Sequence, residues 1–461
     1  MKKHSNTLSD NTPRILSLVD RNPNSPTNGC CDRQYWHYKT TDFSNARFQE
    51  AGLSLALIYK NSAKGNVYKN DNFLKIIESI MNFWVKTQNK NGSFSESIPK
   101  ENSFVATAFS SNAAAETLKI LNIRPANIIT SLEKSAHWLS KYNDLEVSNH
   151  QAGAVRFFYN MYELTGNEKY KTLAKDKLNT LLNIQSKEGW FPEYGGPDAG
   201  YLSLTINFLS SYFEAGNDND VIEPINRAKE YLSHFIYPDG TFGGEIFSRN
   251  SEIFFTSDQN ISHLDDRYLI WLSSLQINLD IKPKKNFEIY FDESGIFVHS
   301  DKKYYIVCNL KKGGAIKVFK NGKLVYSDCG LVAKHKKNIL TNCIYGDYET
   351  KLVNSENEKY AEIRGYMYKT KPMRLSPLRN SAIRVLTSIG FSDYVVHQAK
   401  RKLITGAQRT NIRFERRIDF SDPSNVKIED KVNSKINFEK AKKAPFMHTA
   451  SSGFFKESDL E

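Results

Sequence analysis

No stretch of the 461 residues comes near the roughly 18 consecutive apolar residues that a membrane-spanning helix needs, so a helical span is not expected. Behind Lys2 and Lys3 there is no continuous apolar core, so the first twenty residues do not read as a cleavable secretion signal. Cysteine is scarce and odd in number. Cys30, Cys31, Cys308, Cys329 and Cys343 fit neither a disulfide framework nor a zinc spacing. Together these absences point to a globular cytoplasmic protein with no metal and no cofactor. No nucleic-acid-binding motif is present either, so no nucleic acid partner is expected.

Charge is abundant but unevenly placed. Residues 281–461 carry 35 Lys and Arg against 20 Asp and Glu, whereas residues 1–280 carry 28 against 31. The basic character belongs to the C-terminal part, where it would suit an acidic glycan or another polyanion, or would simply be solvated. The length is enough for two domains.

Residues 1–28 are polar and rich in Pro, Asn and Ser, and read as a loosely held arm. The next stretch, Gly29 to Phe43, mixes aromatic and charged residues. Arg33, Trp36, His37 and Lys39 there are candidates for binding sugar rings and carboxylates. The alternative is that these aromatics pack the arm onto the first helix.

From Phe43 to about Leu279 apolar residues recur at three- and four-residue spacing, as in Phe73, Leu74, Ile76, Ile77, Ile80, Phe83 and Trp84. Helices are expected at 43–60, 71–89, 103–121, 127–142, 150–165, 167–186, 200–215, 220–236 and 260–276. A repeat runs through them. Gln88-Asn-Lys-Asn-Gly92-Ser-Phe94-Ser-Glu96 recurs as Gln185-Ser-Lys-Glu-Gly189-Trp-Phe191-Pro-Glu193, and more loosely around Gly240. The spacing implies a unit of about fifty residues, the length of a helical hairpin. Hairpins around an axis make an α/α toroid over 29–280, with the loops of one end lining a cleft; a straight solenoid is the alternative.

Two polar clusters open helices at this interval. Glu146 to Gly153 contains Asn149 and His150, with Asn149 placed as an N-cap. Gly189 to Tyr201 contains Trp190, Glu193, Tyr194 and Tyr201, with Asp198 as the cap. Polar groups at neighbouring helix starts predict one shared cleft.

Near residue 280 the period changes. Short strands are expected at 287–291, 295–298, 304–307, 315–319, 323–326, 338–345, 349–354, 358–368, 382–388, 392–396, 411–418 and 425–432, with Asn321-Gly322 marking a hairpin. They predict an antiparallel β-sandwich over 286–461.

A helical toroid followed by such a sandwich resembles the heparinase II/III-like polysaccharide lyases. The matching residues are Asn149-His150 at an inner helix, Tyr201 about fifty residues on behind Glu193-Tyr194-Gly195-Gly196-Pro197, and the segment Phe291 to Val298. The family's sandwich usually carries Gly-His-x-His-x-Asp, with a catalytic or metal-binding histidine. The corresponding stretch here, Lys311 to Val318, has no histidine. Among the remaining sandwich histidines, His448 has the most site-like surroundings.

The resemblance implies action on an acidic, uronate-containing polysaccharide or glycan precursor by abstraction of the C5 proton. Asn149 would bind the uronate carboxylate, protonated His150 or the helix terminus would offset its charge, and Tyr201 would serve as base. A uronate C5-epimerase of surface-polysaccharide synthesis shares that step. A silent glycan-binding protein needs none of it, and a glycosidase would use carboxylates such as Asp32, Glu193 or Asp198.

Overall fold

Helices that are apolar on every side have to be enclosed, and this chain has several. α5 (Phe104–Leu121) and α7 (Ser148–Thr165) are buried over most of their length, as is α9 (Ala199–Gly216). They pack side by side with α3 (Ala51–Asn61) as an inner layer. The helices between them keep only one buried stripe. α4 (Asp71–Thr87) turns Phe73, Ile77, Ile80 and Trp84 inward, and α6 (Ala126–Ser140), α8 (Glu168–Leu182) and α10 (Ile222–Ser233) are likewise half exposed. The ring closes where α11 (Asp266–Ser273) returns to α3: Ser54 Oγ donates to Ile270 O at 3.0 Å and meets Ser273 Oγ at 2.8 Å. The helical part is thus a toroid and not a straight solenoid. This computed structural model describes residues 2–257, 264–355, 358–370, 376–388 and 407–445.

The repeated motif makes the same turn each time. Gln88 Nε2 donates to Gly92 O (3.1 Å) and to Ser131 O (2.8 Å) on α6; Gln185 Nε2 donates to Gly189 O (2.8 Å) and to Pro224 O (2.9 Å) on α10. Gly92 and Gly189 have φ of +94° and +103°, and a Cβ on either would lie 2.3 or 2.4 Å from the carbonyl oxygen of Lys134 or Arg227. The glycines lie in these turns beyond the helix ends, so they lock one outer helix to the next. The copy at Gly240 keeps the turn (Tyr237 N to Thr241 O, 2.7 Å).

The N-terminal residues are not a loose arm. α1 (Lys2–Leu18) buries Ile15 and Leu18, with Val19 just beyond it, and Arg14 pairs with Asp266 at 2.7 Å. The short α2 (Arg33–Trp36) holds it, with Trp36 Nε1 donating to Leu18 O at 2.8 Å. Polar neighbours mask these few helix-spaced apolar residues in the sequence.

The sandwich has two antiparallel sheets. β1 (Phe287–Phe291), β2 (Ile296–Ser300), β3 (Tyr304–Asn309), β4 (Ala315–Lys320) and β5 (Lys323–Asp328) form a meander in that order. Its last hairpin turns at Asn321-Gly322, both with positive φ (50° and 81°). The second sheet holds β6 (Leu331–His335), β7 (Asn338–Thr341), β8 (Glu349–Asn354), β9 (Lys359–Thr370), β10 (Gln408–Asp419), β11 (Lys427–Val432) and β12 (Glu439–Lys440), in the order β11-β10-β9-β7-β6-β12 with β8 also on β9. The first sheet is covered on both faces. Tyr305, Val307 and Phe319 join the core of the toroid, while Phe297, Ile306, Cys308 and Val318 face the second sheet.

Two details depart from expectation. Residues 382–388 belong to a helix, α12 (Pro377–Ser388), whose first position is a proline preset for helical φ. β6 and β12 have no counterpart among the expected strands. The expected strand at 392–396 lies outside the described residues.

Because Gly189 abuts a carbonyl and Gly166 (φ +67°) faces open space, the two should respond differently to alanine. Gly166→Ala should cost about 1–2 kcal/mol from the left-handed backbone alone. Gly189→Ala should cost clearly more, as measured by urea unfolding.

Candidate active site

The site grows from a carboxylate that the fold has buried. Glu193, 1% exposed, sits in the loop joining α8 to α9, bridged to Val147 on one side and to Gly196 on the other. That pairing sets its side chain against the start of α7. Glu193 Oε1 accepts Asn149 N at 3.2 Å and Asn149 Nδ2 at 2.7 Å. Asn149 is therefore not the N-cap. Val147 holds that position without a side-chain bond, and Glu193 supplies the cap from 44 residues away. Asp198 does cap α9, accepting Tyr201 N at 3.1 Å.

The second carboxylate oxygen takes Arg249 Nη1 at 2.8 Å. The Arg249 guanidinium lies 3.8 Å from the ring centroid of Tyr201 and 4.9 Å from that of Tyr194. Tyr194 is held in the left-handed region (φ 55°), its N–H donating to Glu146 O at 2.8 Å. Tyr201 OH meets Tyr268 OH, from α11, at 3.2 Å. Asn149, Glu193, Arg249, Tyr201 and Tyr268 thus form one connected chain of polar contacts. Asn149 Oδ1 is a fully buried acceptor with no hydrogen-bond partner among the described residues.

A second glutamate–arginine group lies near His150. Glu96, the repeat counterpart of Glu193, pairs with Arg267 at 3.2 Å and lies 3.8 Å from Arg47. The charges of Glu96 and Arg249 both act on His150, and those of Arg249 and Arg267 both act with Tyr201. His150 Nδ1 shares a hydrogen bond with Asp144 Oδ2 at 2.7 Å, and its ring meets Phe109 edge-on at 5.9 Å. Burial lowers the His150 pKa despite Asp144. The cation that lies against Tyr201 is Arg249.

Burial also pushes Glu193 up to about 7, against the pull of Arg249 and Asn149. Asp198 and Tyr268 are raised as well, again chiefly by burial.

The remaining expected residues lie apart. Trp190 Nε1 donates to Glu188 Oε2 (2.8 Å), and Glu188 accepts the backbone N–H groups of Glu293 (2.6 Å) and Ser294 (3.0 Å), which makes Trp190 part of the seam between toroid and sandwich. Arg33 and Trp36 begin and end α2, and His37 and Lys39 follow it, with the His37 ring between those of Trp36 and Tyr38. No contact among the described residues joins these four to Glu193. His448 lies outside the described residues. Arg249, Arg267 and Tyr268 were not foreseen; only the repeat, which pairs Glu96 with Glu193, pointed toward their partners.

Where the family resemblance calls for a histidine segment, the chain has a buried lysine. Lys312 Nζ donates to Phe247 O, to Ser248 O (3.2 Å) and to Asn250 Oδ1 (2.8 Å). An ammonium that already occupies these oxygens does not fit a divalent cation. Its effect is to brace the loop that carries Arg249.

The raised pKa of Glu193 has a consequence for stability. Its ordinary value is 4.5 and its folded value about 7, so the folded protein holds this proton more tightly than the unfolded chain. The ionised carboxylate therefore lowers stability above about pH 7, and the loss disappears as pH falls toward 4.5, roughly 3 kcal/mol for a shift of this size. Glu193→Gln lacks the titration. Its deficit against wild type should be larger at pH 5 than at pH 8 in thermal melts. The opposite trend would mean that Arg249 outweighs burial.

Among known proteins, no family model matches this chain and no curated protein matches it. Solved structures do. Heparinase III aligns with a TM-score of 0.50 at 12% identity, over 72% of this chain and 62% of that one. A mutant of the heparan sulfate lyase HepC from Pedobacter heparinus aligns at 0.45 and 11%, over 84% and 61%. A Paenibacillus xanthan lyase aligns at 0.49 and 10%, over 79% and 44%. The chain spans about six-tenths of the length of the first two. At such identity the likeness is one of architecture: this chain has the heparinase-like fold, an α/α toroid carrying an antiparallel β-sandwich.

Proposed function

We propose that this protein is a polysaccharide lyase acting on a uronate-containing glycan, with C5-proton abstraction at the Tyr201 hydroxyl. The observation that carries the reading is the contact of Tyr201 with both a fixed cation and a second hydroxyl, Tyr268, linked through Arg249 and Glu193 to the Asn149 amide, whose oxygen has no partner among the described residues. The fold shared with heparinase III supports it.

Each group has work to do in that reaction. Removing the C5 proton drives charge onto the neighbouring carboxylate, and Arg249 stands where it can offset that charge. Glu193 fixes the guanidinium and the Asn149 amide in place, so neither reorganises as charge builds. Asn149 keeps one amide hydrogen and its oxygen for the substrate's carboxyl and hydroxyl groups. Tyr201 would act as its phenolate: it takes the C5 proton, becomes the neutral phenol and, with Tyr268 in hydrogen-bond contact, gives that proton to the leaving oxygen as the C4–O bond breaks. Returning it to the opposite face of the sugar would instead give C5 epimerisation.

The test is incubation with heparosan, hyaluronan, chondroitin and alginate, followed by ultraviolet absorbance for unsaturated uronate and by proton NMR in D2O. Unsaturated product is expected. Deuterium at C5 without chain cleavage would identify an epimerase, and binding without either would identify a silent glycan-binding protein. Tyr201→Phe should lower kcat about 10²–10⁴-fold with little change in binding, whereas Asn149→Ala should also raise KM. Full activity in Tyr201→Phe would exclude it as the proton carrier.

A further inference from the structure

The outward face of the second sheet follows a pattern that breaks at one end. In one row across the strands Lys351 faces Glu362, Glu362 faces Arg417 and Arg417 faces Glu429. In the next row Glu349 faces Arg364, Arg364 faces Glu415 and Glu415 faces Lys431. Charges thus alternate in sign, as cross-strand pairing favours. In the following rows tyrosines replace the acids: Tyr366 faces Arg413 and Tyr368 faces Arg409. No described carboxylate forms an ion pair with either arginine, whereas Arg417 pairs with Glu362 at 2.9 Å.

A bulge builds this end of the sheet. Four steps along β10, from Arg409 to Arg413, span only two along β9, held by Thr410 Oγ1 donating to Met367 O at 2.7 Å. The extra residues draw Arg409 back over the same ring that Arg413 reaches. The Arg409 guanidinium lies 3.8 Å from the Tyr366 centroid, and that of Arg413 lies 5.3 Å away with Nε donating to Tyr366 OH at 3.1 Å. Those two arginines hold the Tyr366 phenol below its ordinary pKa, chiefly through hydrogen bonds from Arg413 and then Arg409. Bulges commonly re-aim side chains in this way. Here the outcome is two exposed guanidiniums converging on one aromatic face, in the part of the chain with the large basic excess.

We propose that Arg409, Tyr366 and Arg413 form a second, non-catalytic binding site for a carboxylated glycan chain on the outer face of the sandwich. Planar guanidiniums suit carboxylates, and an aromatic edge suits the sugar between them. The alternating acidic rows begin about 7 Å away along the strands. They disfavour a ligand with a charge on every unit, such as a nucleic acid, and tolerate one with spaced carboxylates. Naming a uronate chain as the ligand rests on the proposed function. The site would hold distant parts of a polymer while the cleft works on another, raising its effective concentration there.

The test uses the full chain and fluorescent hyaluronan and heparosan oligosaccharides, with dextran and duplex DNA for comparison. Arg409→Gln/Arg413→Gln should weaken glycan binding about tenfold, and dextran should not bind. Arg364→Gln/Arg417→Gln removes the same charge from the paired rows of that face and should change affinity less than about twofold. All four positions lie on the sheet's outer face, so melting curves should confirm folding. On a cleavable polymer the first variant should raise KM and leave kcat unchanged. Equal losses in both variants would reduce the effect to net charge and overturn the site, as would unchanged binding in the first. DNA binding tighter than glycan binding and lost with Arg409 and Arg413 would overturn the glycan assignment. The binding results decide this site even if no glycan is turned over, in which case only the reading of the cleft fails.

Discussion

A carboxylate with almost no water contact must be matched by positive charge or by hydrogen-bond donors, and the organisation of the buried polar cluster follows from that requirement at Glu193. Its two oxygens are divided between the first turn of α7 and the guanidinium of Arg249. One residue therefore fixes a helix terminus, an amide and a cation, which come from segments far apart in the chain. Removing one partner of such a buried pair typically costs about 3–5 kcal/mol. The arrangement is consequently held in one geometry.

The sandwich is part of that arrangement. Lys312, in the turn between β3 and β4, reaches into the 247–250 loop and holds it by two carbonyls and an amide oxygen. Ser248 in the same loop donates to Glu193 O and Pro197 O, each at 2.9 Å. Tyr345 packs on Gly196 from the other direction. The C-terminal half thus positions the arginine of a polar cluster otherwise made by the helical half.

Local physics was legible in the sequence, and long-range partnership was not. The inner helices show in their apolar spacing, and the Gln-x-x-x-Gly turns show because each copy meets the same constraint: a positive φ against a neighbouring carbonyl. Asp198 could be read as a cap because its partner is three residues away. Asn149 was misread as one because its true partner, Glu193, is brought up by a loop that no local pattern reveals. Arg249 lies in a stretch without periodicity, so only its contacts identify it. At 382–388, Ile383, Val385 and Thr387 alternate like a strand, yet the run follows Pro377 and continues as a helix. The start of the chain hid its buried residues among polar ones.

The central strands of the five-stranded sheet, β2 to β4, have little face of their own in water: helices cover one side and the second sheet covers the other. Stripping either layer away would expose a broad apolar surface, which ties the stability of each half to the other. Denaturation should then appear as one concerted event, with the backbone amides of β3 the last to exchange with solvent deuterium.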